Sequence, residues 1–181
     1  MVWRYILATL RRGPVTLPAE RVDEATTEAL AERLHAAAQQ RLGRSLAIRH
    51  VDSGGCNGCE LETAMLTSVV YDLERFGLHF VASPRHADVL LVTGPATRNM
   101  QEALLRTWQA TPDPKWVVAV GDCAVDGGVF KGSYAVAGGV EAVVPVDLIV
   151  RGCPPTPAQI LDGLRALLEA NARKQWPRRR A

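Results

Sequence analysis

Long uninterrupted apolar runs are missing from this 181-residue sequence. The longest candidate, Ala135 to Val150, is broken by Glu141 and Asp147, so no segment reaches the roughly 18 apolar residues of a membrane-spanning helix. An excess of one charge is missing too. Lys and Arg number 21 against 19 Asp and Glu, and five of the basic residues crowd into the stretch from Arg173 to Arg180. The remainder is slightly acidic, which excludes a nucleic-acid-binding surface on the body of the chain. After the opening MVWRYILATLRR comes GPVTLPAE rather than an apolar export segment, so the chain is expected in the cytoplasm. Internal repeats are absent, and the only biased segment is the basic tail. Cysteines number four. In a reducing compartment they are read as thiols rather than as two disulfides.

With 48% hydrophobic and 22% charged residues, the chain has enough apolar material for one sizeable core. Ser45 to Val51, Leu78 to Ser83, Val89 to Thr93, Trp116 to Val120 and Val146 to Val150 are short runs rich in Val, Ile and Leu, with turn residues beyond them. They read as buried strands. Helices fit between them. Leu61, Met65, Val69, Leu73 and Phe76 form one stripe at helical spacing, Leu104 and Trp108 begin another, and Ile160, Leu161, Leu164 and Leu168 form a third. All three stripes are expected to be core. For the last helix the start is legible: Thr156 as N-cap, Pro157 at the first helical position, and Gln159 to complete a capping box. A further helix is expected from about Asp23 to Leu42, stopped by Gly43. Strands alternating with helices imply an α/β domain, a doubly wound and mostly parallel sheet covered on both faces.

On that scheme every cysteine falls in a loop at the carboxyl end of a strand. Cys56 and Cys59 lie in SGGCNGCE, Cys123 in GDCAVDGG and Cys153 in GCPP. In an open parallel sheet those ends share one edge, and ligands bind in the crevice outside it. Three distant segments are thus expected to converge. Converging thiolates suit an iron–sulfur cluster, a zinc ion or unligated structural cysteines. A closed zinc site usually pairs two Cys-x-x-Cys knuckles, and here there is one. An iron–sulfur cubane suits one pair and two singles better, with the nearby glycines letting backbone N–H groups approach its sulfurs.

GGCNGCE, the TGP of Thr93 to Pro95, GDC followed by GG, and GCPP together resemble the small electron-transfer subunit that nickel-iron hydrogenases share with the NADH-quinone oxidoreductase, complex I. The likeness covers roughly Ser45 to Ala170. VDSGGCNGCELE, SPRHADVLLVTG, Trp108-Gln109 and PDPK most closely resemble the small subunit of membrane-bound, energy-converting hydrogenases of the formate hydrogenlyase kind. The resemblance implies a flavodoxin-like domain (45–170) behind an N-terminal helical extension (1–44) and ahead of a basic tail (171–181). It implies one 4Fe-4S cluster on Cys56, Cys59, Cys123 and Cys153, docked against a large subunit that holds a nickel-iron centre. Its other partners are then a ferredoxin-like iron–sulfur subunit and integral membrane subunits. The spacing Cys56-Asn57-Gly58-Cys59 is the hydrogenase arrangement, whereas complex I proteins have the first two ligands adjacent. A complex I-like quinone oxidoreductase is the alternative. In both cases the chain relays electrons without itself making bonds, at the cytoplasmic face of the membrane.

Other residues carry weaker signals. Glu62 matches a family acid one turn into the helix after Cys59, although an acid there is favoured by the helix dipole alone. Arg85 and His86, in SPRHAD, match the family and are candidates for the subunit contact, against the alternative of a solvated loop. Glu60, Asp122 and Asp126 have no role assigned, and no nucleophile or base accompanies the two aspartates. His35, His50 and His79 lack ligand spacing. The amino end, with Trp3, Tyr5, Ile6, Leu7 and Leu10 beside Arg4, Arg11 and Arg12, is amphipathic if helical, and it and the basic tail are candidates for lipid or partner contact.

Overall fold

Alternate residues of the central strands enter different cores, and this divides the molecule into layers. Val89 and Leu91 of β3 (Val89–Thr93) and Trp116, Val118 and Val120 of β5 (Trp116–Val120) belong to one apolar cluster, while Leu90, Val92, Val117 and Ala119 belong to another. Both faces of the sheet are therefore buried, as a period-two side-chain pattern on an all-apolar strand requires. The computed structural model describes residues 24–172 together with Trp3, which is exposed. The rest of the expected amphipathic amino end and the basic tail lie outside the described residues.

The sheet has five strands: β1 (Leu46–Asp52), β2 (Leu78–Phe80), β3, β5 and β7 (Leu148–Val150), in the order β2-β1-β3-β5-β7. Every adjacent pair is parallel. This is the flavodoxin-like order, with its reversal between β1 and β3. A small antiparallel pair, β4 (Ala96–Thr97) with β6 (Val136–Gly138), was not legible in the sequence. The first face is covered by α1 (Glu24–Leu42) and by α5 (Pro157–Ala172), whose Ile160, Leu161, Leu164 and Leu168 are fully buried beside Ala37 and Ala38 of α1. The second face is covered by α3 (Gln101–Ala110), which contributes buried Leu104 and half-buried Trp108, and by Ala124, Val140 and Val144. Gly43, at φ +67°, ends α1 and donates its N–H to the Gln39 carbonyl. The capping box of α5 is formed: the Thr156 N–H donates to Gln159 Oε1 at 2.8 Å, and the Gln159 N–H to Thr156 Oγ1 at 3.4 Å.

Two aspartates fasten the amino edge of the sheet. Asp88 Oδ2 accepts the Ala47 N–H and Asp147 Oδ2 the Val117 N–H, while the Asp88 and Asp147 N–H groups donate to the Ala47 and Val117 carbonyls, so each aspartate joins its neighbouring strand through both side chain and backbone. β7 begins at Leu148, directly after Asp147, rather than at the expected Val146. Pro84 opens a 3-10 turn (Pro84–His86), and β2 ends at Phe80 rather than Ser83.

One expectation fails. Leu61, Met65, Val69, Leu73 and Phe76 do not form a continuous buried stripe. The helix that carries Cys59, α2 (Gly58–Met65), stops after 8 residues. Thr67, Ser68, Val69 and Val70 follow, all weaker helix formers than Leu61, Glu62, Ala64 and Met65. The chain leaves α2 through tight bonds from the Thr67 N–H to the Ala64 carbonyl and from the Ser68 N–H to the Met65 carbonyl. Leu66, Tyr71 and Leu73 re-enter the core, but Leu61, Met65, Val69 and Val70 stand in solvent, Leu61 at 60% and Val69 at 98% exposure.

Candidate metal centre

The cysteine loops meet because the backbone beside them is bare. Asp52 ends β1 and accepts the N–H groups of Gly54 and Gly55 at 2.8 and 2.9 Å, a local turn that aims the chain toward Cys56. Ser53, fully buried, sits with its hydroxyl on the carbonyls of Thr93 and Gly94 and ties this turn to the end of β3. At Gly94, with φ +75°, a Cβ would stand 2.4 Å from the Gly55 nitrogen. At Gly121, with φ +91° and directly after β5, a Cβ would stand 2.5 Å from Cys59 Sγ. Neither approach tolerates a side chain.

Cys56, Cys59, Cys123 and Cys153 all line one cavity of about 70 Å³ at the carboxyl edge of the sheet, with Gly55, Gly58, Glu60 and Asp122 among their neighbours. Only Cys56 and Cys153 lie in loops as expected, and both are exposed; half-buried Cys59 lies in the first turn of α2 and buried Cys123 in the first turn of α4 (Asp122–Asp126), because each of these helices starts directly beyond its strand-end turn. Among the described residues, no group of three or more His, Cys, Asp or Glu side chains converges as a single metal ion would need. The four thiols stand around a space.

That space disfavours uncompensated negative charge. Burial, with help from Glu60 and then from Cys123, Cys56 and Cys153, pushes the Cys59 pKa up to about 12. Burial also raises Cys123, against a hydrogen bond from the Val129 N–H that favours the thiolate. Thiolates at Cys59 and Cys123 are favoured by positive charge beside them, which is what iron supplies. Donor set, bare glycine backbone and charge balance all fit an iron–sulfur cluster.

Of the two acids in α2, Glu60 lines the cavity and Glu62 does not. Both carboxylate oxygens of Glu60 are buried without a hydrogen-bond partner among the described residues. Residue types alone do not single it out. Its position directly after a cysteine at a helix start was the available signal, because the first turn after Cys59 stays at the cavity. Asp122 and Asp126, unassigned from sequence, are both engaged: Asp122 Oδ1 accepts the Gly152 N–H at 3.2 Å, and Asp126 Oδ1 accepts the Gly128 N–H at 3.0 Å. Arg85 and His86 are exposed in the 3-10 turn and lie outside the cavity lining. His50 Nε2 is 2.9 Å from Thr93 Oγ1, and His35 Nδ1 meets the Phe76 carbonyl.

Residues 56–167 match the family described as NADH ubiquinone oxidoreductase, 20 Kd subunit. The chain belongs to this family. It is 49% identical over 129 residues to formate hydrogenlyase subunit 7 of Escherichia coli, covering 71% of this chain and 51% of that protein, so it spans about half the length of this relative. It is 46% identical over 132 residues to a probable membrane-bound hydrogenase subunit of Pyrococcus furiosus, covering 73% and 79% of the two chains. Among solved structures, it is similar to a chain of an archaeal membrane-bound sulfane sulfur reductase, with TM-score 0.65, 32% identity and coverage of 80% and 77%. A chain of an NAD+-reducing nickel-iron hydrogenase, at TM-score 0.54 and 22% identity over 70% and 93%, shares the fold. Members of the family are subunits of oxidoreductase complexes, and relatives of this chain belong to membrane-bound ones. Among the described residues, no helix is long and apolar enough to cross a membrane.

Proposed function

We propose that this chain is the electron-relay subunit of a membrane-bound, energy-converting nickel-iron hydrogenase, and that Cys56, Cys59, Cys123 and Cys153 hold one 4Fe-4S cluster. The observation that carries the reading is one cavity lined by all four thiols, drawn from three segments distant in the chain. When bound, such a cluster takes up and releases one electron at a time. The protein's part is to seat it. Gly94 and Gly121 keep side chains out of the seat, the Val129 N–H donates to Cys123, and burial raises the cost of charge around Cys59 and Cys123. Two electrons delivered singly and two protons make one hydrogen molecule on the large subunit, and none of those bonds forms on this chain.

Two exposed cysteines leave the seat open toward solvent, and Leu61 and Met65 present apolar surface on the helix that carries Cys59. A large subunit that covers the cavity covers these side chains as well, which accounts for apolar exposure at this place. A ferredoxin-like subunit then supplies electrons, and membrane subunits hold the assembly at the cytoplasmic face. The Cys56-x-x-Cys59 spacing and the two hydrogenase-complex relatives favour this over quinone reduction. The similarity to a sulfane sulfur reductase chain keeps a relay in a different respiratory complex as the second reading.

The deciding experiment is metal and acid-labile sulfide analysis of the native complex, isolated without oxygen through a tag on this chain. Iron and sulfide with stoichiometric nickel is the expected result. Iron and sulfide without nickel moves the chain to the second reading, and zinc in place of iron overturns the relay.

A further inference from the structure

Asp122 and Gly152 each directly precede a single cysteine, Cys123 and Cys153; Asp122 opens α4 beyond β5, and Gly152 lies in the loop that leaves β7. The β5–β7 ladder ends at the pair Val120 and Val150. Beyond it the two chains stay joined. The Gly121 N–H donates to the Val150 carbonyl at 2.8 Å and the Asp122 N–H to the Gly152 carbonyl at 2.9 Å. Asp122 Oδ1 returns the bond by accepting the Gly152 N–H at 3.2 Å. Gly152, at φ +142°, turns both its N–H and its carbonyl to Asp122, and a Cβ there would stand 2.6 Å from Pro155 Cα. The third bond depends on a side chain. Arg151 Nη1, at 3.7 Å from the same oxygen, is a solvent-facing neighbour at a range where an ion pair adds little.

We propose that Asp122 is a positioning residue whose carboxylate clasps the Cys153 loop to the Cys123 loop and so sets the placing of those two sulfurs around the cavity. It acts through the Gly152 N–H, as an acceptor oxygen rather than as a charge. The proposal rests on the cluster reading of the four cysteines.

The test compares the anaerobically isolated complex carrying unmodified chain, Asp122→Asn and Asp122→Ala. The readouts are iron and sulfide per chain, the rate of iron loss to a chelator, and the electron paramagnetic resonance signal of the reduced cluster. Asparagine keeps an oxygen at the same reach, so its complex should lose iron at the unmodified rate with an unchanged signal. Alanine removes the acceptor, so iron loss should be about fivefold faster, the weight of one hydrogen bond, with a shifted or broadened signal. Failure of the alanine variant to assemble while the asparagine variant assembles also supports the clasp. An alanine variant indistinguishable from the unmodified chain overturns it, and so does an asparagine variant as impaired as alanine, whether in retention or in assembly. Absence of iron and sulfide from the unmodified complex is a separate result, which overturns the cluster reading itself.

Discussion

Helices α2 and α5 carry apolar stripes of the same spacing and meet opposite fates. In α5, Ile160, Leu161, Leu164 and Leu168 are fully buried against the sheet and α1. On α2 and just beyond it, Leu61, Met65 and Val69 are exposed, on the segment that leads away from a cavity lined by four cysteines. A helical period says only that one face is apolar. Whether that face is buried within the chain depends on what else the fold brings to it. α5 starts from a closed capping box and runs 16 residues along the core, while α2 starts at Asn57 with no side-chain cap and lasts 8. The short helix starts at the cavity that Cys59 lines, and its Leu61 and Met65 face solvent.

Leu164→Ala tests the buried side of this contrast most directly. It should lower the unfolding free energy by about 2–5 kcal/mol, the usual cost of a cavity left by a fully buried leucine, measured by denaturant unfolding. A loss below about 1 kcal/mol would mean that α5 is not the buried partner its packing describes.

A smaller effect is expected at His50 of β1. Burial lowers the His50 pKa from 6.5, with Glu60 and then Asp52 pulling it up and Arg49 adding to the lowering. The folded chain therefore takes up this proton less readily than the unfolded chain. Its penalty is absent above 6.5 and grows as pH falls through that value. Denaturant midpoints recorded above and below 6.5 should converge in His50→Gln relative to the unmodified chain. An unaltered pH dependence would remove His50 from the account.

The smallest effect on stability is expected from Val69→Asp, within about 0.5 kcal/mol, because the side chain is 98% exposed. Its effect on assembly should be the reverse if the proposed large subunit covers this face, because a buried apolar contact does not accept a carboxylate, so recovery of that subunit with the tagged chain should fall. Full recovery would separate this surface from the cavity as an interface.

The aspartates show how unevenly a sequence displays its purposes. Asp88 and Asp147 precede the apolar runs of β3 and β7 and extend strand ladders, so their place before an apolar run was a usable sign. Asp122 and Asp126 flank Cys123 and, by residue type alone, resemble a carboxylate pair without a task. Their tasks are hydrogen bonds, one across to Gly152 and one to Gly128 within the same turn. Only the second is local enough to be inferred.

The sequence by itself determined the strands at Val89–Thr93 and Trp116–Val120, the doubly wound class, the start of α5, and the place of the four cysteines beyond the carboxyl ends of strands, because each follows from residue types within a few positions. Only the tertiary structure decided that the stripe after Cys59 is exposed, that Glu60 rather than Glu62 faces the cavity, and that Asp122 joins two loops. These are relations between segments far apart in the chain. Periodicity and capping are local properties, whereas burial and partnership depend on what the rest of the fold leaves beside a residue.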